Sequence, residues 1–187
     1  MKRTLTLIIL ACTLMIGSVA QAVTLSLIPQ NQTIDLGNTA SFSLLLSGLD
    51  QGIGLGGFDI DVQYDPAILD YNDDLAIVGN YVDFSSHVPG TLNLLGLAPS
   101  FVTPSELATF SFTGIAHGTS IVDLFVNDLI GDIILTNPET GENEIVSFFI
   151  TDIATEGAAV NVVPEPGTLI LLGAGLAGLA VWRRRHS

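Results

Sequence analysis

Basic residues are missing from most of this chain. Residues 23–163 contain no lysine and no arginine, because all five basic residues lie near the termini: Lys2, Arg3, Arg183, Arg184 and Arg185. The same stretch holds 18 of the 19 acidic residues. A polyanion of this kind has no side chains to replace the counterions of a phosphate backbone. Nucleic acid is therefore excluded as a partner.

Cysteine is almost absent as well, and the sequence lacks the usual motifs of catalytic sites. The single cysteine, Cys12, lies in an apolar run that we expect to be removed, so no disulfide is expected. The chain has no His/Cys cluster with zinc spacing and no nucleophile elbow. Ser85, Ser86 and His87 are neighbours in sequence, which does not define a triad, and we expect His87 to be a solvated loop residue. We predict no catalytic residues.

The first 22 residues have the three parts of a secretory signal peptide. Lys2 and Arg3 form a positive start, and residues 5–17 are apolar. Ala20 and Ala22 flank Gln21 in a small-x-small cleavage site. We therefore predict export, with cleavage after Ala22.

The other end of the chain also has an ordered pattern. Pro164, Glu165 and Pro166 precede an apolar run over residues 169–182, and Arg183, Arg184 and Arg185 follow it. Those 14 residues would span roughly 21 Å as a helix, against a hydrocarbon core of about 30 Å. This predicts a short transmembrane helix that anchors weakly, with the arginines on the cytoplasmic side. A permanent single-span anchor is the alternative to a tail that is removed.

This arrangement resembles the PEP-CTERM sorting signal of Gram-negative bacteria. The resemblance implies that a membrane transpeptidase, exosortase, is a partner that processes the chain near the triplet. It implies that Pro164, Glu165 and Pro166 are the recognition element and that Arg183, Arg184 and Arg185 are stop-transfer charges. It also implies an exported protein, transiently anchored in the inner membrane, that ends in the cell envelope or an extracellular polysaccharide or biofilm matrix.

The stretch between the two ends has the alternation of β-strands. Apolar residues recur at every second position in five runs, for example Phe58, Ile60, Val62 and Tyr64. The other runs are centred on Leu44, Phe110, Leu124 and Phe148, and Gly/Pro/Asn turn signals separate them. We predict eight to ten strands in a single antiparallel β-sandwich, an all-β fold. A signal helix and a hydrophobic C-terminal helix would flank it.

Part of this region resembles cohesin domains. The residues that carry the resemblance are Gly57–Leu69, which run into a Tyr-Asp-Pro turn, and Leu107–Phe112 followed by Gly118–Ser120. The resemblance implies a cohesin-like jelly roll, close in architecture to certain carbohydrate-binding modules, and a dockerin as one kind of partner. The predicted organisation is a signal peptide at 1–22, a cohesin-like β-sandwich at 23–162 and a sorting tail at 163–187.

Calcium is the one cofactor with support in the sequence. Asp70, Asp73 and Asp74 crowd a short segment, and carboxylate oxygens are the ligands that calcium prefers. The spacing is not that of an EF-hand. The alternative is a solvated acidic loop.

Two classes of function fit these features. The first is an exported, non-catalytic structural or binding component of the envelope or matrix, with a surface protein or an exopolysaccharide as its partner. The second is a secreted polysaccharide-active hydrolase or carbohydrate-binding protein. Few exposed aromatic residues are expected, and this favours the first class.

Overall fold

The chain folds into two β-sheets that pack face to face. The computed structural model describes residues 22–139, 141–164, 167, 171–176 and 182–183. These contain fourteen strands. The strands are β1 (Val23–Ile28), β2 (Asn31–Asp35), β3 (Thr39–Ser47), β4 (Ile53–Gln63), β5 (Leu69–Tyr71), β6 (Ala76–Ile77), β7 (Val82–Asp83), β8 (Ser86–Val88), β9 (Thr91–Leu97), β10 (Glu106–Gly114), β11 (Gly118–Thr136), β12 (Asn143–Phe149), β13 (Ile153–Glu156) and β14 (Ala158–Val163).

The two sheets differ in size. The first has six strands in the order β13-β1-β3-β10-β5, with β6 also paired to β10. The second has eight strands in the order β2-β14-β11-β4-β9-β7, with β12 paired to β11 and β8 paired to β9. Strand β11 is the longest and pairs with β4, β12 and β14. The β-sandwich predicted from the alternation is confirmed.

Two strand pairs are parallel within this otherwise antiparallel architecture. Strand β1 runs parallel to β13, and β2 runs parallel to β14. The chain crosses from the first sheet to the second between β1 and β2, at Pro29 and Gln30. The segment from β13 to β14 makes the same crossing beside it. Alternation cannot show such a pairing, because it reports which face a residue occupies and not the direction of the neighbouring strand.

The core is made from the faces that the alternation identifies. Phe42, Phe110 and Phe112 form a cluster of rings whose centroids lie 5.7–6.1 Å apart. Phe58, Ile60 and Val62 of β4 are at most 1% exposed and face them from the second sheet, and Tyr64 is 7% exposed. Burying aromatic and aliphatic side chains of this size stabilises each by about 1.5–3 kcal/mol. The core therefore holds the two sheets in a fixed relation.

Two segments differ from the expectation. The glycine-rich stretch before residue 58 reads as a turn, yet β4 begins at Ile53 and includes three of its glycines. Strand β12 shows the expected alternation, but all seven of its residues are exposed. Among the described residues it pairs with the last part of β11, residues 130–136, and its apolar side chains remain exposed. The strand count exceeds ten because several strands have only two or three residues.

Candidate functional site

Two carboxylates stand side by side on the outer face of the second sheet. Asp59 and Asp61 alternate along β4 with buried apolar residues and therefore point away from the core. The Asn93 side-chain amide on β9 donates to Asp59 Oδ1 at 2.6 Å and to Asp61 Oδ1 at 2.8 Å. Asn127 on β11 donates to Asp59 Oδ1 at 3.3 Å and to Asp61 Oδ2 at 3.2 Å. The pair is thus held from both sides.

Strand pairing explains this geometry. Asp61 lies directly opposite Asn93, as antiparallel register requires for a cross-strand contact. The register of β11 against β4 shifts between Val126 and Asp128. A bulge of this kind re-aims a side chain. It places Asn127 over the carboxylate pair.

Exposed apolar side chains lie on the same face of the sheet as the pair, and Phe125 is directly opposite Asp61. Phe125, Ile121 and Leu97 are each at least 44% exposed and lie on β11 and β9 at positions that point outward. We call this surface, formed by Asp59, Asp61, Asn93, Asn127 and these three residues, the acidic face. Because amides and not cations hold the carboxylates, their negative charge is not neutralised. A partner could still donate hydrogen bonds to them.

A second feature lies at the open edge of the sandwich, where β5 ends the first sheet and β8 borders the second. Most of its lining side chains are polar or aromatic, and two are aliphatic: Tyr71, Asp73, Asp83, Ser85, Ser86 and His87, with Leu75 and Leu92. We call this the edge cleft. The hydroxyl of Tyr64 lies 2.7 Å from His87 Nε2, and the Tyr71 and His87 ring centroids are 4.7 Å apart. His87 is exposed, as expected for a solvated residue, but it lies on the short strand β8 and contacts two tyrosines, whereas a loop position was expected.

The electrostatics of the edge cleft are negative. Burial raises the pKa of Tyr71, the hydrogen bond that its hydroxyl accepts from the Leu75 amide lowers it, and the carboxylates of Asp73, Asp74 and Asp83 raise it further. Burial also raises the pKa of Tyr64, with Asp70 adding to the effect and the Gly90 backbone opposing it. Several acidic side chains therefore act on the tyrosines beside the cleft.

The three aspartates predicted to hold calcium have different structural settings. Asp70 lies in β5, opposite Thr113. Asp73 has a positive φ of 54° in the turn that follows. Asp74 accepts hydrogen bonds from the Ser111 amide at 2.9 Å and from the Ser111 hydroxyl at 2.5 Å. Among the residues that the structure describes, no three His, Cys, Asp or Glu side chains are grouped to hold a metal. Calcium binding here stays a prediction and would require the segment to rearrange.

Ser85 and His87 are close in sequence, but their side chains contact different residues. Ser85 Oγ accepts a hydrogen bond from the Leu95 amide at 3.0 Å, while His87 contacts Tyr64. Asp83 Oδ1 accepts a hydrogen bond from the Ser85 amide at 2.8 Å. These contacts organise the loop before β8.

The terminal signals fall largely outside the described residues. Ala22 immediately precedes β1, and Pro164 immediately follows β14. Residues 171–176 are helical, and Arg183 belongs to a described helical pair. Ala20, Glu165, Pro166, Arg184 and Arg185 lie outside the described residues. No helix in the described part of the chain is long and apolar enough to span a membrane.

Comparison with known structures places the fold among cohesin domains. The sixth cohesin of scaffoldin B from Acetivibrio cellulolyticus, in complex with a dockerin, is 17% identical. The match covers 76% of this chain and 99% of that one, with a TM-score of 0.53. The seventh ScaB type I cohesin from Pseudobacteroides cellulosolvens is 15% identical over 77% of this chain and 94% of that one, with a TM-score of 0.53. These likenesses show the cohesin fold.

An archaeal structure is equally similar. The non-cellulosomal cohesin from Archaeoglobus fulgidus is 10% identical over 79% of this chain and 95% of that one, again with a TM-score of 0.53. No curated protein matches this chain in sequence. The class of protein is therefore a cohesin-like β-sandwich.

The particular kind of protein is identified by its C-terminus. Residues 162–185 match the PEP-CTERM protein-sorting motif. Both resemblances noted in the sequence are thereby confirmed. The motif implies an exported protein, sorted by an exosortase and anchored transiently in the membrane before processing.

Proposed function

We propose that this protein is a non-catalytic binding module of the cell envelope or extracellular polysaccharide matrix, which docks a protein partner through its acidic face. The observation that carries the proposal is the Asp59–Asp61 pair, held in one orientation by Asn93 and Asn127. Preorganised acceptors lose little conformational freedom on binding, so more of their interaction energy contributes to affinity. Cohesins of the same fold include several solved in complex with dockerins.

The face combines features of a protein interface. Phe125, Ile121 and Leu97 supply exposed apolar area on the same face as the carboxylates. Interfaces commonly combine apolar contact with a few oriented polar groups. A partner with lysine, arginine or hydroxyl donors between apolar side chains would complement this surface. Basic donors would also be steered by the excess of negative charge.

Site-specific photo-crosslinking on living cells tests the docking surface. A crosslinking residue at Leu97, on the acidic face, should capture a partner that the same residue at Thr109, on β10 of the other sheet, does not capture. The partner, identified by mass spectrometry and purified, should bind the processed protein. The double change Asp59→Asn and Asp61→Asn should weaken that binding about tenfold or more and reduce its salt dependence.

A charge-matched control separates local from general effects. Asp50→Asn with Asp152→Asn removes the same charge outside the acidic face, in the segments before β4 and before β13, and should leave binding unchanged. Equal capture from Leu97 and Thr109, or equal losses for both double variants, would refute docking through this face. Release of reducing sugar from polysaccharide by the processed protein would favour the hydrolase alternative instead.

Mass spectrometry of the surface or secreted form tests the sorting proposal. The processed protein should begin at Val23 and should end near Pro164–Pro166. An intact chain through Ser187 in the native host would instead indicate a permanent anchor.

A further inference from the structure

The edge cleft has the size and lining of a small-molecule site. Its volume is about 510 Å³, which is within the range of about 300–1,000 Å³ found for ligand pockets. It opens to solvent between β5 and β8, and none of its lining residues belongs to the acidic face. Leu75 and Leu92 are its aliphatic lining residues, and the other lining side chains carry polar groups.

An aromatic wall borders the cleft. Tyr64, His87 and Tyr71 are in ring contact, and the hydrogen bond between Tyr64 and His87 fixes the imidazole orientation. Phe112, which is fully buried, packs against both tyrosines from the core side. The two tyrosines of the wall are therefore packed against the core, and His87 forms its exposed side. Aromatic faces attract cations and also stack on the apolar faces of sugar rings.

The cleft carries negative charge that the chain itself does not neutralise. Asp73 and Asp83 both line it, and Asp83 uses one oxygen to cap the turn at Ser85. Asp74, nearby, is already engaged by Ser111. Residues 23–163 contain no lysine or arginine that could close onto these carboxylates. A cleft of one charge sign raises the local concentration of ligands of the opposite sign.

We propose that the edge cleft binds a saccharide that carries a free ammonium group, such as a deacetylated amino-sugar unit of a polysaccharide. The ammonium group pairs with Asp73 and Asp83, the hydroxyl groups bond to Ser85, Ser86 and His87, and a ring face lies against Tyr71. An acidic polysaccharide would be repelled by the same carboxylates.

The polar lining distinguishes a sugar from a lysine side chain. A lysine carries a stem of four methylene groups, which needs apolar walls to be buried. Here the aliphatic surface is limited to Leu75 and Leu92, whereas hydroxyl, imidazole and carboxylate groups make up most of the remaining lining. Most of these polar residues are exposed, and saccharide hydroxyls can form the hydrogen bonds that the polar groups otherwise make with water.

Calorimetric titration of the full chain in mild detergent tests this assignment. The probes are a tetrasaccharide of glucosamine, its fully N-acetylated counterpart and a tetralysine peptide, at about pH 6, where amines carry a proton. EDTA is present throughout. We expect the glucosamine probe to bind at least about tenfold more tightly than either of the others. Its affinity should decrease as salt is added.

Two isosteric variants locate the site. Asp73→Asn with Asp83→Asn should weaken glucosamine binding about tenfold or more, and Asp50→Asn with Asp152→Asn, of equal charge, should leave it unchanged. The circular dichroism spectrum shows whether each variant is folded, and Ser86→Ala provides a milder second test. Equal binding of the acetylated probe, tighter binding of tetralysine, or equal losses in both double variants would overturn the proposal.

Discussion

Two glycines of the second sheet show how single residues depend on what lies against them. A Cβ atom added at Gly96 would lie 2.6 Å from the Phe58 ring, and one added at Gly131 would lie 2.7 Å from the Phe148 ring. Phe58 is 1% exposed and is enclosed by the core, whereas Phe148 is 36% exposed on β12. The two clashes are similar in distance but differ in whether the ring can move.

We therefore expect opposite outcomes for the same substitution. Gly96→Ala should lower the free energy of unfolding by about 2–3 kcal/mol, because an enclosed ring cannot shift without strain. Gly131→Ala should change it by less than about 1 kcal/mol, since Phe148 can rotate into solvent and alanine loses less backbone entropy. Urea unfolding measures both. Similar losses in the two variants would show that Phe148 is as constrained as Phe58.

A partly buried tyrosine makes stability sensitive to alkaline pH. Burial, and secondarily the carboxylate of Asp132, raise the pKa of Tyr81 well above its usual value near 10. Its hydroxyl donates to the Leu55 carbonyl at 3.3 Å. Because the folded state retains this proton when the unfolded chain has lost it, its contribution to stability is full below about pH 10 and decreases as the pH rises beyond.

Tyr81→Phe should separate this effect from general alkaline denaturation. At neutral pH the variant should be destabilised by about 1 kcal/mol, through loss of the hydrogen bond. Between about pH 10 and 11.5 its unfolding midpoint should fall less steeply than that of the parent chain, because Tyr81 no longer titrates on unfolding. Parallel pH profiles for the two proteins would exclude Tyr81 as the cause.

At the scale of the elements, strand β12 is exposed along its whole length. It pairs with β11 on one side, and its seven residues, Asn143–Phe149, include four exposed large hydrophobic side chains: Ile145, Val146, Phe148 and Phe149. Edge strands with apolar side chains and no lysine or proline promote association between chains. The acidic residues beside the hairpin turn limit that tendency through repulsion.

A lysine on this strand should improve solubility without affecting the fold. Phe149→Lys removes a side chain that is 66% exposed, so the unfolding midpoint should change little. The concentration at which light scattering first shows oligomers should rise. Thr136→Lys, on the paired part of β11, adds the same charge while keeping the aromatic residue, and should raise that concentration less. Equal effects of the two substitutions would indicate that net charge alone causes the change.

On the scale of the whole molecule, uncompensated negative charge opposes compaction. The formal net charge is −14, and the cations lie only at the termini. Salt at about 0.15 M screens beyond roughly 8 Å, which relieves distant pairs but not carboxylates within one segment. Divalent cations are the agents that could neutralise such segments locally.

We predict that calcium raises the stability of the chain at constant ionic strength. At a hundredfold excess over the dissociation constant, binding to the folded state alone adds about 2.7 kcal/mol. Thermal unfolding in EDTA and in millimolar calcium measures the shift. An unchanged unfolding midpoint would show that calcium does not stabilise the chain. A shift that survives Asp70→Asn, Asp73→Asn and Asp74→Asn together would place the ion elsewhere.

The sequence alone determined the class of fold and the sorting of the protein, because both depend on patterns of residues that are close together in sequence. Alternation of apolar and polar residues reports which side of a strand is buried, and it identified the inward faces of β3, β4 and β10. The Pro-Glu-Pro triplet and the charges after the apolar run are contiguous, so the sorting motif is readable without a structure.

Tertiary structure decided which distant residues meet. Asn93 and Asn127 reach the Asp59–Asp61 pair through register and a bulge, and no local pattern specifies either. His87 meets Tyr64 because two separate segments converge at the open edge. The exposure of β12 is likewise decided by tertiary packing, because its alternation alone predicts one buried face. Local sequence sets the face of each strand, while the pairing of strands far apart in sequence sets the neighbours across it.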